Sequence, residues 1–168
     1  MSDASWEKRL ADLWKAMDKY AEDEFIANID TMTAELPAGG RDSAIGLFER
    51  GGAQDSTGHP HLAVALYRAA LAAGLPGSRR RQATIQLASS LRNLGDSMEA
   101  VTLLSDELLA ASDELDGAVA AFLALALVDV GREREAVAFS LTALSNYLPR
   151  YNRSLARYAR QLTDKNPQ

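Results

Sequence analysis

The chain has 168 residues and a formal net charge of -5, enough for one domain of ordinary size and too acidic for a general nucleic-acid binder. Ala (30) and Leu (24) far outnumber Ile (4) and Val (6), which favours helices over strands because β-branched side chains suit sheets. There is no cysteine, which excludes disulfides, thiolate catalysis and Cys-based zinc sites. The opening segment, Met1 to Arg9, has no apolar signal region, and the longest uncharged apolar run, Gly117 to Val128, is too short to span a bilayer. The expectation is a soluble, cytoplasmic, helical protein.

In chain order, Trp6, Leu10, Leu13, Trp14 and Met17 form one apolar stripe at helical spacing, and Phe25, Ile26, Ile29, Met32 and Leu36 form another. A turn near Lys19 to Glu22 joins them into a helix pair over residues 1–37, closed by Pro37-Ala38-Gly39-Gly40. From there the chain repeats. Gly58, Gly95 and Gly131 each stand five residues before an Ala-Val pair and thirteen before a leucine: Leu71, Leu108 and Leu144. Each glycine is expected to end a first helix in a left-handed cap. Pro60 suits the first turn of the helix that follows, and Asp96 or Ser97 is a candidate cap in the next copy. After Pro149, Tyr151, Leu155, Tyr158 and Leu162 recur on a last helix over residues 151–163.

This pattern resembles the tetratricopeptide repeat (TPR), a helix-turn-helix unit of about 34 residues. The family carries small residues at its eighth, twentieth and twenty-seventh positions. The eighth is Gly51, Ala88 and Ala124 here, and the twentieth is Ala63, Ala100 and Ala136. The twenty-seventh is Ala70, Glu107 and Ala143, and the large twenty-fourth is Tyr67, Leu104 and Ser140, so single copies depart from the pattern. The resemblance implies an all-α fold, a right-handed α-α superhelix forming a solenoid arc. Its repeats fall at 44–76, 80–112 and 116–148, after a degenerate first repeat at 1–37, and a capping helix closes one domain over 1–168. The order resembles small stand-alone bacterial members of the family.

What the family implies for function is a non-enzymatic interaction module that takes a peptide or helix in a concave groove lined by the first helix of each repeat. Its groove positions map onto Phe48 and Asp55 in the first copy, Gln86, Ser89, Arg92 and Asn93 in the second, and Phe122 and Asp129 in the third. Phe122 and the neighbouring Leu125 read equally well as core. The Lys/Asn clamp by which some members hold a terminal carboxylate is missing, since no lysine occurs between Lys19 and Lys165.

Other chemistry finds little support. His59 and His61 flank Pro60 in a turn with no further His or Cys to complete a metal set, so they read as surface turn residues. No G-x-S-x-G elbow surrounds any serine, and Gly51-Gly52 lacks the Gly-Lys-Ser/Thr of a phosphate loop. No catalytic residue, metal or cofactor is expected. Charge is uneven: residues 1–35 carry net -5, residues 131–168 net +4. Arg153, Arg157 and Arg160 form a stripe on the last helix, read either as a solvated outer face or as a surface for an anionic partner. That partner would be nucleic acid, an acidic peptide, or the acidic end of a second copy in a closed dimer. Arg79-Arg80-Arg81 opens a helix where cations oppose the macrodipole, with Asp106, Glu107 or Asp113 as candidate partners.

Overall fold

The computed structural model describes residues 4–110 and 112–164, apart from the Arg41 side chain. Met1 to Asp3 and Lys165, which entered the reading above, lie outside the described residues. Among the described residues there are nine α-helices and no strand: α1 (Ala4–Lys15), α2 (Glu22–Ala34), α3 (Gly40–Ser56), α4 (Pro60–Ala72), α5 (Gly77–Asn93), α6 (Ser97–Leu108), α7 (Asp116–Asp129), α8 (Glu133–Ser145) and α9 (Asn152–Gln161). A single 3-10 turn, Met17–Lys19, separates α1 from α2. None of these helices is long and apolar enough to cross a membrane.

The repeated glycines set the punctuation. Gly58, Gly95 and Gly131 have φ of +82°, +93° and +75°, a region open to glycine at no steric cost. The residue after each donates its N–H five positions back: His59 to Gln54 O (2.8 Å), Asp96 to Leu91 O (2.9 Å) and Arg132 to Leu127 O (2.8 Å). Gly74 closes α4 the same way, with Leu75 N–H on Ala70 O at 3.1 Å. This is the Schellman arrangement, which satisfies carbonyls that a helix end would otherwise orphan. Pro60 opens α4 as anticipated. Asp96 occupies the cap position of α6, but its carboxylate makes no capping bond, and the Ser97 hydroxyl turns instead to Asp129 (3.3 Å).

The chain forms two compact units, residues 1–90 and 91–168. In the first, α2 packs on α3 and α3 on α4, around Phe25, Ile29, Ala44, Ile45, Ala63, Tyr67 and Ala70, all at most 2% exposed. Gly51 is the reason α3 and α4 approach so closely: a Cβ there would stand 2.8 Å from the Tyr67 ring. In the second, α6 packs on α7, α7 on α8 and α8 on α9, over Leu104, Val119, Leu123, Ala126 and Leu127. The small twentieth-position residues, Ala63, Ala100 and Ala136, are all buried, as close helix crossings require. The recurring leucine is less uniform. Leu71 and Leu108 are half-buried, while Leu144 is 48% exposed, so the third copy does not use it as a packing site.

Candidate functional site

An open cleft of about 510 Å³ lies in the first unit. Three helices present side chains to it: Glu7, Leu10, Ala11 and Trp14 from α1, Phe48, Glu49, Gly52, Asp55 and Ser56 from α3, and Ser78, Arg79, Gln82 and Gln86 from α5, with the Tyr67 ring behind them. The helical period explains the selection, since positions three and four apart share a face. Gly52 lets α1 come near, for a Cβ there would meet the Trp14 ring at 3.2 Å. Trp14 packs edge-on against Phe25 with ring centroids 5.1 Å apart, and Phe48 lies 6.2 Å from Tyr67.

Two polar networks cross the cleft. In the first, Arg79 donates from both terminal nitrogens to Glu7 (3.1 and 2.6 Å) and from Nε to Glu49 Oε1 at 3.1 Å. The Trp14 indole N–H donates to the other Glu49 oxygen at 2.9 Å. One guanidinium thereby ties α5 to both α1 and α3 in a charge-assisted fork. Burial raises the Glu49 carboxyl above its ordinary value, against the lowering pull of Arg79 and the Trp14 bond. Burial alone would lower the Arg79 guanidinium, but Glu7 and Glu49 outweigh it and hold it above its usual value.

In the second network the Ser90 hydroxyl donates to Asp55 Oδ1 at 2.9 Å, and the Tyr67 phenol reaches Asp55 Oδ2 at 3.5 Å. Burial raises the Asp55 carboxyl, and these two bonds offset it only in part. Burial, with Asp55 and Glu49 nearby, also pushes the Tyr67 phenol well above its ordinary value. Gln86 Oε1 is buried without a hydrogen-bond partner among the described residues. An unmet acceptor of this kind costs free energy until something donates to it.

Of the residues expected at a groove, the structure thus gathers Phe48, Asp55 and Gln86 at one cleft. Phe48 is mostly packed away, at 6% exposed, and Ser89 is half-buried on α5. The others belong to the second unit. There Arg92 and Asp129 face each other, Nε standing 2.5 Å from Oδ2 without hydrogen-bond alignment, so each is already answered by the other. Asn93 is exposed. Phe122 is half-buried on α7, while Leu125 and Val128 of the same helix are 46% and 50% exposed. Leu125 is therefore surface rather than core. Arg153, Arg157 and Arg160 are exposed on α9, with the Arg157 guanidinium 5.0 Å from the Tyr158 ring centre.

Sequence reasoning missed Glu7, Trp14, Tyr67 and Arg79 as cleft residues, whereas Glu49 stands at one of the family's groove positions. Within the arginine run, Arg79 turns back to Glu7 of α1 and Glu49 of α3. The available signal was Gly51-Gly52 in mid-helix, which marks two close approaches rather than a loop. His59 Nδ1 lies 3.1 Å from the Thr57 hydroxyl, and among the described residues no three His, Asp or Glu side chains converge as a metal set.

The architecture defines an all-α helical repeat in which small residues and left-handed glycines recur at matching places. A family model described as tetratrico peptide repeat matches residues 44–162, and the chain belongs to that family. No curated protein and no solved structure matches the chain significantly. Repeats of this family generally mediate protein–protein interaction, and its members are typically non-enzymatic.

Proposed function

We propose that the chain is an interaction module that takes a peptide, extended or helical, in the cleft formed by α1, α3 and α5. The observation that carries this reading is an open concavity of about 510 Å³ with aromatic walls and an unmet buried acceptor, Gln86 Oε1. Concave sites with a few fixed polar groups are where ligands are oriented, and amide side chains on a helix face suit the backbone of a bound peptide. Phe48 and Gln86 would supply the apolar and polar contacts there, with Asp55 beside them. Ser89 of the first unit is a secondary contact candidate, and Arg92, Asn93, Phe122 and Asp129 are candidates for a contact surface of the second unit taken by itself.

Affinity purification with the full chain as bait tests the assignment. A Gln82→Ala/Gln86→Ala bait is expected to lose a partner that wild type retains, while an Arg153→Ser/Arg157→Ser/Arg160→Ser bait keeps it. Equal recovery by the cleft variant sinks the assignment. A rival reading, self-association of the basic α9 with an acidic N-terminal helix pair, is supported by the exposure of Arg153, Arg157 and Arg160. Light scattering at low and high salt separates the two, since a monomer at every ionic strength removes the rival.

A further inference from the structure

Beyond a general capacity for peptides, the cleft has a charge balance that selects among them. It presents three carboxylates, Glu7, Glu49 and Asp55, against one cation, Arg79. That cation is committed to Glu7 and Glu49. Among the described residues Asp55 receives only neutral donors, the Ser90 hydroxyl and, at 3.5 Å, the Tyr67 phenol. The Ser90 proton is itself divided, because Oγ also lies 3.0 Å from the Gln86 backbone carbonyl. Ser90 thus joins Asp55 of α3 to Gln86 of α5, and the Gln86 side chain adds a buried acceptor with no donor. The cleft therefore has acceptors and negative charge in excess.

We infer, resting on the reading of the cleft as a peptide site, that it selects a cationic side chain, lysine or arginine, seated between Asp55 and Gln86. An ammonium carries three N–H donors and a guanidinium five, with no acceptor to repel a carboxylate. An apolar or acidic side chain in that place would leave the Asp55 charge without a counter-ion and Gln86 Oε1 without a donor in a drier environment than before, which is costly. The walls suit the rest of such a residue. The aliphatic stem of lysine or arginine packs along apolar surface while its head stays polar. The half-buried Trp14 ring lines the same space, and aromatic faces attract cations.

Selection of a phage-displayed library of random linear peptides on the full chain tests this. The expected result is enrichment of lysine or arginine at one position. A selected arginine peptide is then resynthesised with citrulline, which keeps the shape and removes the charge, and both are titrated by fluorescence anisotropy. Citrulline is expected to weaken binding about tenfold or more, the scale of a charge-assisted hydrogen bond. Asp55→Asn is expected to bind both peptides alike, at the weaker level. Should that variant fold poorly, the citrulline exchange on the wild-type chain decides alone. Selected peptides with no cationic preference, or equal affinity of the arginine and citrulline forms, overturn the inference while leaving the peptide site standing. Failure to select any peptide overturns the peptide site itself.

Discussion

Gly46 and Gly51 lie on the same helix, α3, and the same substitution at the two should have opposite consequences. Replacing glycine by alanine in a helix interior gains about 0.5–1 kcal/mol from propensity. At Gly46 the new Cβ would stand 3.5 Å from Thr33 Cβ and 3.6 Å from Leu36 Cδ1, ordinary contact distances, so the gain survives. At Gly51 it would stand 2.8 Å from two carbons of the Tyr67 ring. That ring is completely buried, so it has nowhere to move without shifting α4. Overpacking of this kind costs about 1–3 kcal/mol. Because the propensity term is common to both, the difference between G46A and G51A isolates the contact at about 1–3 kcal/mol. For a chain of this length that separates the two melting temperatures by about 2–12 °C. Thermal unfolding followed by far-UV circular dichroism measures it. Equal melting temperatures would show that α3 and α4 do not approach as closely as the structure has them.

Glu49 gives a pH dependence with a definite sign. Its carboxyl is raised above the ordinary 4.5 in the folded chain, so between that value and the raised one the folded state holds a proton the unfolded state has released. The stability this contributes is fully present below pH 4.5 and is lost as pH rises through the folded value. Glu49→Gln removes the titration, and its stability relative to wild type is expected to improve from acid to neutral pH in parallel urea denaturations. A relative loss over that range would contradict the assignment. At Tyr151, φ is +65° and the side chain is 78% exposed, a left-handed conformation costing a non-glycine residue about 1–2 kcal/mol. Tyr151→Gly relieves it against the greater entropy glycine loses on folding, for a net gain of about 0.5 kcal/mol. Marked destabilisation on unfolding the variant would mean the tyrosine side chain holds α9 in place.

Helix positions and turns were legible because their causes are local. Left-handed glycines, Pro60 at a helix start and buried alanines at crossings each show in a few residues of sequence. The cleft was only partly legible because its chemistry joins residues far apart. Arg79 sits in a run of three arginines that reads as surface charge, yet its partner Glu7 is 72 residues away. Glu49 on α3 resembles any other helical glutamate until Trp14 and Arg79 are seen to meet it. Arg92 and Asp129 were proposed as contacts from their positions alone, and their mutual pairing across 37 residues could not be read from either one. Tyr67 was recognised as the large residue of its repeat, but not that its hydroxyl reaches Asp55.

The wide sequence separation of the Arg79 contacts also orders events in time. Each hairpin such as α3–α4 is closed by a turn whose hydrogen bonds span six residues, and local contacts of this kind form early. The cleft cannot do the same. Its α1 wall is held by Trp14 on Glu49 and by Glu7 on Arg79, so during vectorial synthesis nearly half the chain must exist before the wall is secured. The surface proposed to meet a partner is thus among the last parts of its unit to take shape, and a nascent chain would not expose it finished.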